Sequence, residues 1–112
     1  MTSTSAKRSK YRNVRTILDG ITFDSKKEAA RYADLKLLEK AGLIRDLELQ
    51  PRIPLICNGV KIGSYVGDFA YSERGIRVIE DVKSPATKTP VYNLKKKILA
   101  TYSPPIHIKE VF

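Results

Sequence analysis

Asp81 and Lys83 stand two residues apart in the run Gly-Ile-Arg-Val-Ile-Glu-Asp-Val-Lys over residues 75–83. Ile76, Val78, Ile79 and Val82 give that run the β-branched bulk of a central strand. Residues i and i+2 of a strand share a face, so Asp81 and Lys83 lie side by side while Glu80 points the other way. A carboxylate beside an ammonium at a strand end has two uses. It could hold a divalent cation and orient a water, or steady the charge that grows on a phosphorane. It could equally be a partly exposed ion pair, of the kind worth under ~1 kcal/mol.

Two further acids are candidates for the same chemistry. Asp68 interrupts the aromatic and β-branched run Tyr-Val-Gly-Asp-Phe-Ala-Tyr at 65–71, where aspartate is disfavoured. Gly67 before it would let another backbone, or a phosphate, approach closely. The alternative is a bulge or strand-end residue paired to a lysine. Glu28 closes Ser-Lys-Lys-Glu at 25–28, a capping-box pattern in which its carboxylate returns a hydrogen bond to the Ser25 backbone. It also lies on the stripe of Tyr32 and Leu35, which aims it towards the core, where it could serve as an outer metal ligand.

The elements that must carry these residues follow from local pattern. Asp19-Gly20 between apolar residues predicts a tight hairpin. Ser25 and Gly42 bracket a helix whose apolar positions include Ala29, Tyr32, Leu35 and Leu38. Residues 43–50 read as a strand with one wet face, and Pro51 and Pro54 predict an edge or a kink after it. Asn58-Gly59 predicts a second hairpin. A strand is expected from about Ser64 to Tyr71, then a turn over Ser72–Gly75 and the Asp81 strand as its antiparallel neighbour. Counting from that turn puts Asp68 and Asp81 on a diagonal. Thr89-Pro90 starts a second helix through Tyr102, which is expected to bury Val91, Leu94 and Ile98 and to expose Lys95, Lys96 and Lys97. Residues 106–112 supply a last strand.

The chain has 112 residues, enough for one modest core, and its composition predicts a flexible basic arm over residues 1–15 and one domain over 16–112. Its 21 Lys and Arg against 12 Asp and Glu give a net charge of +9, which favours a polyanionic partner, nucleic acid first. In the arm, Lys7, Arg8, Lys10, Arg12 and Arg15 could contact phosphates, with Tyr11 stacking on a base or sugar; the alternative is an ordinary solvated terminus. Lys88, Lys95, Lys96 and Lys97 are the corresponding candidates near the second helix. One cysteine, Cys57, and one histidine, His107, exclude an internal disulfide, a cysteine-rich zinc site and a histidine cluster. Any metal must be held by oxygen, which suits Mg²⁺ or Mn²⁺. No apolar run is long enough to span a bilayer or act as a signal peptide, so a soluble cytoplasmic protein is expected, with no membrane partner.

Glu28 in the first helix, with Asp68 and Asp81-Val82-Lys83 on neighbouring strands, resembles the PD-(D/E)XK nuclease superfamily, most closely its small junction-resolving and phage-type endonucleases. The stretches at 23–29, 65–69 and 80–83 are also similar to a family of small phage and prophage proteins, and the likeness covers about residues 11–112. It implies an α/β (α+β) fold with a restriction-endonuclease-like αβββαβ core, a mixed central sheet flanked by helices. It implies a metal held by Glu28, Asp68 and Asp81, with Lys83 positioning water or stabilising charge. Asp68 is not preceded by proline, and aspartate stands before Val82-Lys83 where glutamate is commoner. The expected activity is Mg²⁺- or Mn²⁺-dependent cleavage of DNA, selective for branched structures, in a bacterial or phage-infected cell. A branched substrate would call for a symmetric dimer. A non-catalytic nucleic-acid-binding module on the same scaffold is the alternative, and backbone charge alone does not separate DNA from RNA.

Overall fold

The computed structural model describes residues 15–112, so Lys7, Arg8, Lys10, Tyr11 and Arg12 of the expected arm lie outside the described residues. A hairpin of β1 (Thr16–Leu18) and β2 (Ile21–Phe23) comes first. Asp19 and Gly20 close it with φ of 52° and 75°, the pair of positive values that a two-residue I′ turn requires. Helix α1 (Lys26–Lys40) follows. Its Ser25 hydroxyl accepts the Glu28 N–H at 3.1 Å, and Gly42, at φ 79°, turns the chain away. There the Gly42 and Leu43 N–H groups reach back to the carbonyls of Glu39 and Leu38, both at 3.0 Å, which ends the helix in a Schellman motif.

The remaining elements are β3 (Arg45–Leu49), the hairpin of β4 (Arg52–Cys57) and β5 (Val60–Val66), β6 (Phe69–Glu73), β7 (Ile76–Val82), a short 3₁₀ turn (Pro85–Thr87), α2 (Pro90–Ala100) and β8 (Ile108–Val111). Four strands form a mixed sheet in the order β3-β6-β7-β8, antiparallel except for the pair β7 and β8. Two parallel neighbours need a crossover, and α2 is that crossover. Strand alternation divides the core in two. Phe69 and Tyr71 face α1 and pack with Phe23, Tyr32, Leu35 and Ile44. Ala70, Ile79 and Ile108 face the other way and pack with Leu55, Tyr65, Tyr92 and Leu99. The fold is thus mixed α and β, and no helix among the described residues is long and apolar enough to cross a membrane.

Two expectations need correction. The strand expected from Ser64 to Tyr71 is broken at Gly67-Asp68, where the chain leaves β5 and enters the four-stranded sheet. The second helix ends at Ala100, and its inner face carries Tyr92 and Leu99, leaving Val91 61% and Leu94 59% exposed. Tyr92 has more apolar surface to bury than either, and its hydroxyl finds the Glu110 carboxylate at 2.7 Å, so the helix settles with that residue inward.

Candidate active site

The β6–β7 turn decides where the acids meet. Its two-residue loop is Arg74-Gly75, at φ 54° and 77°, closed by the pair Glu73↔Ile76. From there the register runs unbroken to Phe69↔Glu80, the last pair, and Asp68 stands one residue beyond it with its carboxylate beside that of Asp81. The unequal count from the turn expected from the sequence is therefore corrected, since Asp68 and Asp81 stand equally far from Arg74-Gly75. It followed from centring the turn on Ser72–Gly75, whereas the chain reverses later, at Arg74-Gly75.

Asp68 lies just before β6, at the break in the strand. The Gly67 N–H donates to the Pro51 carbonyl at 2.9 Å and the Asp68 N–H to the Glu80 carbonyl at 3.0 Å. An added Cβ at Gly67 would meet Ile79 Cγ2 at 3.2 Å and the Tyr65 ring at 3.3 Å, so the glycine admits neighbouring protein rather than leaving space. The Asp68 side chain turns back over the sheet end, where its Oδ2 accepts the Val82 N–H at 2.7 Å.

Asp81 and Lys83 project from the end of β7 on the α2 side. Asp81 is 6% exposed; its Oδ2 accepts the Tyr65 hydroxyl, and its Oδ1 lies 3.4 Å from Lys83 Nζ. Lys83, 9% exposed, holds that amine 3.7 Å from the centroid of the Tyr92 ring. The pair is therefore nearly buried, not the exposed pair that the spacing alone allows. From α1, Lys27 donates to the Lys83 carbonyl at 3.1 Å. A cleft of about 280 Å³ at this end of the sheet is lined by Asp24, Ser25, Lys27, Glu28, Asp68, Asp81, Lys83, Ser84 and Thr87. All four of Glu28, Asp68, Asp81 and Lys83 thus face one opening.

The electrostatics are those of crowded acids. Burial, and next the adjacent Glu28 carboxylate, pushes Asp68 up to about 6 against the pull of the Val82 N–H. Burial likewise pushes Asp81 up to about 6; the Tyr65 hydrogen bond and the Lys83 charge oppose this, while the Asp68 charge adds to it. The cleft is lined by four carboxylates, of Asp24, Glu28, Asp68 and Asp81, against the two ammoniums of Lys27 and Lys83, a surplus of negative charge that a bound cation would relieve. The donors are all oxygen, the kind that Mg²⁺ and Mn²⁺ prefer. Among the described residues, no three Asp, Glu, His or Cys side chains already surround a single cation position. Each aspartate gives one oxygen to a protein donor, Val82 N–H for Asp68 and Tyr65 for Asp81.

The basic residues are divided. Lys88 and Lys96 pair with Glu110 at 3.3 and 3.1 Å, and Lys95 donates to the Ser64 carbonyl at 2.9 Å. Lys97 and Arg15 are exposed. Four cleft or supporting residues escape a reading of local pattern: Tyr65, Tyr92, Lys27 and Asp24. The tyrosines look like ordinary core aromatics, and only their hydroxyl and ring partners reveal another task. Asp24 had a weak signal, as an acid beside the Ser25 cap at a helix start.

Residues 8–109 match the family described as "Protein of unknown function (DUF1064)". No curated protein and no solved structure matches the chain.

Proposed function

The chain belongs to the DUF1064 family, and we propose that it is a Mg²⁺- or Mn²⁺-dependent endonuclease that hydrolyses phosphodiester bonds in DNA, with a preference for branched structures. The observation that carries this reading is the Asp68 and Asp81 carboxylates side by side, with Glu28 against the first and the Lys83 amine 3.4 Å from the second, all lining one cleft. With the β4–β5 hairpin between β3 and β6 set aside, the two helices and the strands of the four-stranded sheet follow one another as α1, β3, β6, β7, α2, β8, the αβββαβ order that the nuclease resemblance implies.

Asp68 and Asp81, with Glu28 beside Asp68, would hold the cation, which when bound supplies an acidified water and neutralises phosphate oxygens. The protein's own groups supply the rest. Lys83 brings a fixed positive charge to the point where negative charge grows on the phosphate. Tyr65 and Val82 N–H hold one oxygen of each aspartate and so limit rotation of both carboxylates. Lys27 ties the start of α1, and with it Glu28, to the Lys83 backbone. Of the expected phosphate-contacting cations, Lys97 on α2 and Arg15 are exposed and could track a backbone without reading bases.

Titrating Mg²⁺ and Mn²⁺ against labelled branched, single-stranded and duplex DNA tests the proposal. Cleavage is expected on branched DNA, and Asp81→Ala and Lys83→Ala should abolish it while leaving DNA binding within about threefold, since phosphate contacts elsewhere supply affinity. The second reading, a non-catalytic nucleic-acid-binding module, is favoured by the lack of three ligands already gathered about one point among the described residues. Binding without cutting on every substrate, RNA included, would select it.

A further inference from the structure

We infer that Tyr65 and Tyr92 are a pair of positioning residues for this site, Tyr65 fixing the Asp81 carboxylate and the Tyr92 ring fixing the Lys83 ammonium. The role in turnover rests on the nuclease reading above; the positioning itself does not.

Tyr65 is 2% exposed and lies one residue before the end of β5, outside the four-stranded sheet that carries the acids. Its hydroxyl crosses to the Asp81 Oδ2. A phenol bound to one oxygen of a carboxylate fixes the plane of that group, which here leaves Oδ1 towards Lys83. The lack of a side chain at Gly67 is part of this device, since a Cβ there would press on the Tyr65 ring at 3.3 Å.

Tyr92 works from the opposite wall. A lysine amine on four rotatable bonds is a poor fixed charge unless something holds its end. The Lys83 Nζ is held between Asp81 Oδ1 and the Tyr92 ring face, 3.7 Å from the centroid, in a nearly buried place where a cation–π contact is at its strongest. The ring is itself fixed at its far end, because the Tyr92 hydroxyl donates to Glu110, which Lys88 and Lys96 also bind. The Tyr65 and Tyr92 rings lie 6.5 Å apart at 42°, so each limits the other. Outer partners of this kind commonly change metal affinity or rate by about 10–100-fold when removed.

The test uses the full chain as wild type, Tyr65→Phe, Tyr92→Phe and Tyr92→Leu, each first shown to be folded by thermal unfolding. The ¹³C and ¹H signals of the Lys83 ε-methylene, assigned with Lys83→Arg, should be shifted upfield by the ring in wild type and Tyr92→Phe. They should return to ordinary lysine values in Tyr92→Leu. The Asp81 carboxyl ¹³C signal should move in Tyr65→Phe. Unchanged Lys83 and Asp81 signals in all variants would overturn the inference whatever the activity. Calorimetry with Mn²⁺ alone and single-turnover cleavage should then show about a 10–100-fold loss for Tyr65→Phe and Tyr92→Leu at unchanged DNA affinity. Losses under twofold would overturn the role in turnover. If wild type neither binds Mn²⁺ nor cuts, the nuclease reading fails, while the two NMR signals still decide whether the tyrosines position Asp81 and Lys83.

Discussion

Glu80 and Asp81 are adjacent acids on one strand, both nearly buried, and their surroundings treat them in opposite ways. Glu80, on the α1 face and 0% exposed, receives Arg31 Nε at 2.8 Å, Arg31 Nη2 at 2.6 Å and the Tyr71 hydroxyl. Burial pushes its pKa up, and the Arg31 and Tyr71 hydrogen bonds more than reverse that, so it ends below the usual value. Asp81, on the α2 face, has Tyr65 and a looser Lys83, faces Asp68, and ends raised at about 6. Burial alone therefore does not identify a functional carboxylate. The difference lies in whether the partners are complete: the bidentate arginine leaves Glu80 committed to the fold, while the surplus of acid around Asp81 leaves charge for a ligand to balance.

The sharpest way to break this comparison is to remove one cation from each face. Arg31→Ala removes the bidentate partner of a carboxylate that is 0% exposed and leaves it the Tyr71 hydroxyl and Lys109 at 4.0 Å, and a destabilisation of about 3–5 kcal/mol is expected by urea unfolding at pH 7. Lys83→Ala should cost less than about 1.5 kcal/mol, because Asp81 keeps the Tyr65 hydrogen bond and borders an open cleft. Equal costs would mean that both faces are structural.

Gly67 gives a second and smaller contrast, one of packing. Gly67→Ala should cost about 1–3 kcal/mol, since the new methyl meets Ile79 and Tyr65 at 3.2–3.3 Å in a filled interior. It should also disturb the Asp81 carboxyl ¹³C signal through Tyr65. A neutral substitution would mean that Gly67 serves something other than close packing.

Local signals made most of the frame legible. Asp19-Gly20, Asn58-Gly59, the Ser25 cap and Thr89-Pro90 each act within a few residues, and all four form as expected. The two faces of β7 also followed from strand alternation, which separated Glu80 from Asp81 before any packing was known. What local pattern did not contain was anything fixed by distant partners. The break at Gly67-Asp68 depends on the Pro51 and Glu80 carbonyls accepting from its N–H groups and on the Gln50 N–H donating to the Asp68 carbonyl. The face that α2 buries depends on Glu110 receiving Tyr92. Nothing near Arg31 in the sequence points to its partner, because Glu80 lies 49 residues away in the chain. The same limit hid Tyr65 and Tyr92: an aromatic residue on a strand or helix is core by default, and only the groups it reaches distinguish it.

The smallest expected effect is on Asp68 and bears on the acid surplus most directly. Its folded value of about 6 stands above the ~3.9 of an unfolded aspartate. The folded state therefore binds that proton more tightly than the unfolded chain does. Stability from this group is greatest below pH ~4, declines as pH rises through about 6 and is flat above. Asp68→Asn keeps an oxygen for the Val82 N–H and removes the charge. It should be more stable than wild type by about 1 kcal/mol at pH 8, well below the full linkage value because solvent reaches the cleft, and no more stable at pH 4. Millimolar Mn²⁺ at pH 8 should stabilise wild type against heat more than Asp68→Asn, since the variant lacks the carboxylate that would join Asp81 and Glu28 in holding the cation. An Asn variant that is less stable at both pH values would show that the Asp68 charge is already compensated, as that of Glu80 is, and would remove the contrast between the two faces on which the site rests.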